Sequence, residues 1–456
     1  MSRFFALLPV ILTALIASLP FGAGAATLSL LGSSTKVCQL IGDTDWTSHL
    51  PTAAKTATNF GLDAVDLGFP VDSGAGPLYF LFGDALPSGH SLNSIPSVPP
   101  DDALGFTTRT AVPNASTCLD LQLATSAPET FAHPTVQPPI QQGSFNVPSG
   151  GVFFDNTFYA FFWTDHCVIP TSLTPDPVTP LHRPPPSATC PEIPESSSVG
   201  RSVLAAAAPT NPVAFHWTIP PSGLLFRNMP SGFVYVSAAM PPPPQSEIPV
   251  FGAPRYRASI PYLAVAPRAT FADADTWAFF AGRVAGHPNW VTRQQWESGH
   301  NAAGEWVPPP GAELYDAQPT DERCVGEHSV TWNARLRVWL VLYSCTPWTV
   351  EARFAPEPWG PWSPPIILIS AVQDPNVVCT LIQGAAGCPG LQNYWKLPIG
   401  TPWPGAFYGP FVMDRFTQDA TPPGPGQPKR ATIYWLLSTW NPYTVIVMQS
   451  TLELKE

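Results

Sequence analysis

Two aspartates open the chemical reading of this chain. The run Asp63-Ala64-Val65-Asp66-Leu67-Gly68 is followed, after the turn Asp72-Ser73-Gly74-Ala75-Gly76, by Leu78-Tyr79-Phe80-Leu81-Phe82-Gly83-Asp84. Two antiparallel strands folded about residue 75 have partners that sum to about 150, which sets Asp66 opposite Asp84 with Cβ atoms about 5 Å apart; a slip of one residue would send them to opposite faces. Like charges held face to face repel, and the repulsion raises one pKa. One carboxyl then keeps its proton as an acid while the other stays ionised as base or nucleophile, the division of labour that glycosidic hydrolysis requires. The alternative is that either aspartate merely caps a hairpin end through backbone N–H groups.

Further polar residues stand at the starts of strand-like runs: Asn146, Arg255, Arg257, Glu327, His328 and Tyr408, while Trp163, Asp165 and His166 close the second hairpin. Arg257 and Glu327 adjoin apolar runs, where an unpaired charge is costly, so each calls for a partner or a ligand. Together they make a polar, acidic and aromatic rim of the kind that receives sugar rings, and Trp163, Asp165, His166, Arg257, Glu327, His328 and Tyr408 are the expected substrate-binding residues. No GxSxG elbow, HExxH helix, GxxxxGK[ST] loop or GxGxxG turn occurs, which argues against motif-bearing hydrolases, zincins and nucleotide binders. No CxxC pair or zinc-type histidine spacing is present, so neither a metal nor another cofactor is expected.

The elements that must position these residues are strands. Of 456 residues, 33 are glycine and 59 proline, about one in five, and only 12% are charged, a composition poor in surface helices. Hydrophobic residues at 45% and aromatics at 12% supply a large core and exclude wholesale disorder. Short β-branched and aromatic runs come in pairs: 65–71 with 78–83, 150–154 with 157–164, 259–265 with 276–282, 328–332 with 337–344, and 407–414 with 432–438. Five repeated β units with loops of varied length predict an all-β fold, a five-bladed β-propeller whose closed ring avoids exposed edges; a two-sheet sandwich with a second domain is the competing architecture. Proline-rich insertions near 170–194 and 236–249 read as extended surface loops, and Glu357–Ser363 as an aromatic-proline turn between strands.

Residues 1–25 read as a signal peptide, with Arg3, an apolar run from Phe4 to Leu19, and Ala23-Gly24-Ala25 before the cleavage point, leaving 26–456 as one propeller domain that is secreted, periplasmic or at the cell surface, with no membrane span after cleavage. Eight cysteines in that compartment predict disulfides: Cys167–Cys190, Cys379–Cys388 and Cys324–Cys345 from their spacing, and Cys38–Cys118 by elimination. The net charge of −11 disfavours nucleic acid and anionic membranes as partners. A neutral polysaccharide as substrate of a monomeric protein is the expected pairing.

The sequence also resembles a secreted family known as domain of unknown function 4185, from about Cys38 to Leu454. The resemblance rests on Ile41-Gly42-Asp43-Thr44-Asp45-Trp46, Val65–Gly68 with Phe82–Asp84, and Gly150-Gly151 with 158–165. It continues through Tyr256-Arg257-Ala258-Ser259, Tyr262-Leu263-Ala264, 327–343, Gly360–Ser363 and Ser438-Thr439-Trp440-Asn441-Pro442-Tyr443. It implies a five-bladed propeller and an endo-D-arabinanase-like glycoside hydrolase, with a catalytic aspartate pair that maps onto Asp66 and Asp84. The family's usual Gly-Thr before the first aspartate is Ala64-Val65 in this chain, and its Thr after the second is Ala85. A carbohydrate-binding propeller without turnover and a surface scaffold protein are the competing functions.

Overall fold

The structure is a computed structural model of the 456-residue chain. It describes residues 26–88, 101–124, 147–164, 201–209, 217–218, 220, 224–225, 232–304, 306–315, 323–346, 348–370, 373, 379–382, 405–420 and 427–456. The first strand among the described residues is β1 (Thr27–Gln39). Blade one is β2 (Leu62–Asp72), β3 (Leu78–Pro87), β4 (Asp101–Thr107) and β5 (Gln122–Leu123), and blade two is β6 (Val147–Phe154), β7 (Thr157–Thr164), β8 (Arg201–Ala207) and β9 (Leu224–Leu225). Blade three has five strands, β10 (Tyr235–Ala238), β11 (Glu247–Ala253), β12 (Tyr262–Pro267), β13 (Ala278–Val284) and β14 (His287–Thr292). Blade four is β15 (His328–Asn333), β16 (Val338–Thr346), β17 (Thr349–Ala355) and β18 (Ile366–Ser370). Blade five is β19 (Ala406–Val412), the short β20 (Gln418–Asp419), β21 (Lys429–Trp440) and β22 (Thr444–Lys455), and β1 pairs with β22 as its outermost strand.

The inner strands pack in sequence order, β2 on β6, β6 on β10, β10 on β15, β15 on β19 and β19 back on β2, which closes a five-bladed propeller. The ring is locked at its seam by β1, because a strand from one chain end completing the blade built by the other leaves no blade to drift open. Cys38 at the end of β1 is bonded to Cys118 in blade one, with Cα atoms 5.7 Å apart, so the seam is also covalent. Cys324–Cys345 is formed as its spacing predicts, across the fourth hairpin. Cys379 is disulfide-bonded. Cys388, the pair Cys167–Cys190, the signal segment and the insertion at 170–194 lie outside the described residues.

Serines stitch neighbouring blades. Ser149 accepts a hydrogen bond from Val236 N at 3.2 Å, Ser237 from Val330 N at 3.2 Å, Ser329 from Val412 N at 3.1 Å, and Ser438 from Leu67 N at 2.7 Å. Inner strands converge near the axis and cannot form a continuous ladder with the next blade, so a buried backbone N–H facing the neighbour needs a side-chain acceptor. Where blades two and three approach most closely there is room for no side chain: a Cβ on Gly150 would sit 2.2 Å from Val236 O.

Both faces of the blades are buried, which accounts for apolar runs rather than alternation with polar residues. In β16, Trp339, Val341 and Tyr343 belong to the large core, while Leu340 and Leu342 belong to a second cluster shared with Trp435 and Ile446 of blade five. A third cluster joins Val152 and Phe161 of blade two to Val250 and Trp277 of blade three.

Blade three departs from the sequence reading. The pair 259–265 and 276–282 was expected to be its inner hairpin, yet these residues form its third and fourth strands, and the inner strand is Tyr235–Ala238. The prolines 241–244, read as a spacer within an insertion at 236–249, lie in the turn between β10 and β11, and both ends of that stretch are strand. The four-residue inner strand is too short to announce itself by pattern beside a proline run. Among the described residues no helix is long and apolar enough to cross a membrane.

Candidate active site

Strand direction decides which end of the ring carries chemistry. Asp66 in β2, Tyr235 opening β10, Glu327 just before β15 and Tyr408 in β19 all lie toward the leading ends of the inner strands. The turns that return to the same end bring Asp84, Trp163, Tyr256, Arg257 and Tyr443, because Gly83 pairs with Asp66, Trp163 with Val147, Ala253 with Tyr235, and Trp440 with Ala406. Residues from all five blades thus meet at one mouth of the central channel.

The first hairpin does not have the expected register. Its far half keeps the sum of 150, as in Asp72 with Leu78 and Val71 with Tyr79, but Gly68 is an extra residue with φ 83° and Asp66 pairs with Gly83. Asp84 follows in a left-handed backbone, φ 45°, within a break in both ladders of β3. Such a bulge re-aims a side chain, so Asp84 acts electrostatically on Asp66 without facing it across the ladder. Gly83 must be glycine, because a Cβ would stand 2.9 Å from Asp66 Oδ1 and 2.8 Å from Val147 Cγ1. Asp102 of β4, fully buried, accepts a hydrogen bond from Asp84 N at 3.2 Å and so holds the bulge.

Asp66 is 7% exposed, and its Oδ1 is buried without a hydrogen-bond partner. Burial, then the negative charges of Asp84 and Glu327, raise its pKa well above the usual carboxylate range, against the lowering effect of the Tyr443 and Tyr408 hydroxyls beside it. Tyr443 also donates to Asp84 O at 3.2 Å. Glu327 is pushed up to about 7 by burial, moderated by Arg257 and by the Tyr256 hydroxyl. Arg257 arrives from the loop after β11, not from an inner strand: its backbone is left-handed at φ 49°, its Nη2 donates to Phe407 O of blade five, and its guanidinium lies 4.9 Å from the Tyr256 ring. Gly326 makes that fit possible, since a Cβ there would meet Arg257 N at 2.8 Å and the Tyr256 ring at 2.9 Å. Trp163 stacks on Tyr235 at 5.9 Å and Tyr235 leans on Tyr256 at 5.7 Å, forming an aromatic wall that ends at Glu327.

Of the residues expected from sequence, Asp66, Asp84, Arg257, Glu327, Tyr408 and Trp163 share this mouth. His328 is not grouped with the carboxylates: it is 1% exposed, its Nδ1 pairs with Gly326 O at 2.9 Å, and burial lowers its pKa to about 4, so the ring is neutral. Arg255 lies exposed in the loop before Arg257. Asn146, Asp165 and His166 lie outside the described residues. Asp102, Tyr235, Tyr256 and Tyr443 were not singled out. Tyr256 and Tyr443 sit inside motifs that carried the family resemblance, whereas Asp102 and Tyr235 gave no local signal. Among the described residues the one grouping with metal-ligand spacing is Cys324, Cys345 and Glu351, and its two sulfurs are joined as a disulfide.

The site supplies, in one buried mouth, adjacent carboxyl groups with raised pKa values at Asp66 and Glu327, a fixed guanidinium, phenol hydroxyls and an aromatic wall. Such a set can protonate a leaving oxygen, hold an ionised carboxylate near it and hydrogen-bond a polyhydroxyl ligand.

No curated protein sequence matches the chain. Solved structures resemble it at low identity. A Bacteroides ovatus protein classed provisionally as a hydrolase has TM-score 0.46 and 10% identity, over 86% of this chain and 87% of that one. A GH43_1 enzyme from Xanthomonas citri has TM-score 0.36 and 9% identity, over 86% and 90%. An exo-β-1,3-galactanase from Phanerochaete chrysosporium has TM-score 0.36 and 9% identity, over 92% and 64%. The family model for a domain of unknown function, DUF4185, matches residues 216–449, which holds Arg257, Glu327, Tyr408 and Tyr443, while Asp66 and Asp84 precede it. With just over half of its length covered by that model, the chain belongs to the DUF4185 family.

Proposed function

We propose that the protein is a secreted glycoside hydrolase that cleaves a furanose-containing polysaccharide in an endo-D-arabinanase-like reaction, with Asp66 and Asp84 as its carboxyl pair. The observation that carries this reading is the buried Asp66 carboxyl, flanked by the charges of Asp84 and Glu327 at the mouth of the channel. The family resemblance points to the same two aspartates. Burial and the charges of Asp84 and Glu327 raise the Asp66 pKa, which suits that carboxyl to protonate the leaving glycosidic oxygen. Asp84, held by Asp102 and by its bulge, supplies the opposing charge, and Tyr408 and Tyr443 orient the Asp66 carboxyl. Arg257, fixed to Phe407 O and the Tyr256 ring, and Glu327 position the sugar hydroxyls, while Trp163 and Tyr235 supply an apolar wall.

The net charge of −11 suits a neutral substrate. The two disulfides Cys38–Cys118 and Cys324–Cys345 suit an oxidising compartment, and the signal-like segment 1–25 would deliver the chain there as a monomer. The test is release of oligosaccharides from a panel of arabinans and other polysaccharides by the mature chain, beside Asp66→Asn and Asp84→Asn variants of matched fold. Release by the wild type and its loss in both variants supports the assignment. Glycan binding without release from any substrate overturns it in favour of a binding propeller.

A further inference from the structure

Six large hydrophobic side chains stand exposed among the described residues: Leu50, Met240, Tyr256, Val284, Val307 and Trp348. Only Tyr256 and Trp348 are aromatic, each 40% exposed, and both lie at the end of the ring that carries Asp66. Trp348 sits in the turn between β16 and β17, beyond the pairing of His328 with Tyr343 and next to Thr349, whose partner is Thr346. An exposed tryptophan on a turn would ordinarily be loose. This one is pinned, because its indole Nε1 donates to Gly405 O at 2.9 Å. With its one polar atom satisfied by the protein, the ring offers solvent only apolar surface.

Its position relative to the catalytic mouth follows from the acceptor strand. Arg257 is anchored on Phe407 O and Trp348 on Gly405 O, two residues earlier in the same segment leading into β19. Carbonyls two residues apart on an extended chain are separated by about 7 Å. The indole and the guanidinium are therefore anchored to neighbouring carbonyls of one segment of blade five. A furanose ring has an apolar C–H face that packs against the electron-rich face of an aromatic ring. A fixed, solvent-facing indole anchored to the same segment as Arg257 fits such a face.

We propose that Trp348 is a sugar-stacking platform for a residue of the polysaccharide lying outside the pocket of Asp66 and Asp84, so that the protein grips a length of chain and not only the residue being cleaved. This rests on the glycoside hydrolase reading above. It names a binding position for the substrate that the carboxyl cluster does not provide.

The experiment compares wild type, Trp348→Ala and Trp348→Phe on arabinan polymer and on the shortest oligosaccharide that is cleaved. It also measures calorimetric binding of oligosaccharides of increasing length to the Asp66→Asn chain with and without the Trp348 change. Trp348→Ala is expected to lower the preference for polymer over short oligosaccharide by about tenfold, through KM, and to abolish the gain in affinity with length. Trp348→Phe, which keeps a ring but loses the Nε1 bond, recovers part of both. If polymer is cleaved by the wild type and neither variant changes that preference or the length dependence, the platform is overturned while the hydrolase reading stands. If the wild type releases nothing and the Asp66→Asn chain binds no oligosaccharide, the hydrolase reading falls and the platform with it. Should Trp348→Ala melt far below wild type, the phenylalanine variant decides the matter by the same two readouts.

Discussion

Asp66 pairs with Gly83 across the first hairpin, and the absent side chain of Gly83 is what leaves room for the Asp66 carboxyl. The bulge that follows carries Asp84 to the same mouth with a left-handed backbone. Position 83 should accordingly be as sensitive as the carboxyls themselves. Gly83→Ala places a methyl group 2.9 Å from Asp66 Oδ1 and is expected to lower kcat by about 10-fold to 100-fold, the scale on which displaced catalytic groups act. A folded Gly83→Ala variant with unchanged kcat would remove the geometric argument for the pair.

The buried carboxyl makes stability and activity pull in opposite directions. A carboxyl whose pKa is raised in the folded state binds more protons there than in the unfolded chain, so its contribution to stability falls as pH rises from the unfolded value through the folded one. Asp66→Asn removes that penalty while keeping the shape. It should raise the melting temperature by several degrees at pH 8, with little change at pH 4, and abolish turnover. Thermal melts at the two pH values check the sign, and a lower melting temperature at pH 8 would contradict it.

Glu327 adds a second titration in the same direction. With its pKa raised from 4.5 to about 7, the site destabilises the fold progressively between those values, by up to about 3 kcal/mol at alkaline pH. Its charge also raises Asp66, so Glu327→Gln should lower the Asp66 pKa and move the alkaline limb of the kcat/KM profile to lower pH. A pH-rate profile of the Gln variant measures the shift. A limb that stays in place means that Asp66 is not the group titrating there.

The Cys324–Cys345 bond closes a loop of 21 residues in sequence and ends three residues before Glu327. Replacing both cysteines with serine should cost about 3 kcal/mol of stability, by loop closure alone. It should also raise KM for the substrate, because the segment bearing Gly326 and Glu327 loses its tether to β16. Denaturant unfolding and steady-state kinetics of the double variant separate the two effects.

The blade-to-blade serines offer a test of the ring itself. Ser237→Ala leaves the buried Val330 N–H without its acceptor and should cost about 1–3 kcal/mol, whereas an exposed serine such as Ser48 replaced by alanine should change stability by less than about 0.5 kcal/mol. Equal, small effects at both positions would show that the blades are held by apolar packing alone.

Much of this architecture is local and was therefore legible from residues. Paired β-branched and aromatic runs separated by turn residues predicted four of the five inner hairpins, and with them the five-bladed ring. Cysteine spacing predicted Cys324–Cys345, and elimination predicted Cys38–Cys118. The nearness of Asp66 and Asp84 was also visible, because two like charges ending one apolar hairpin are a local anomaly. What tertiary structure decided was everything that depends on non-neighbouring strands. The inner strand of blade three, only four residues beside a run of prolines, is defined by its packing between β6 and β15 rather than by its own pattern. The bulges at Gly68 and Asp84 shift the register by one residue, a change that a period-two pattern cannot encode, since it depends on the backbone angles of single residues. The meeting of Arg257 from blade three with Phe407 of blade five, and of Tyr408 and Tyr443 with Asp66, joins residues 150 or more positions apart along the chain. Their convergence is a property of the closed ring: sequence states which side chains are present, and only closure of the five blades around one axis places them at a common mouth.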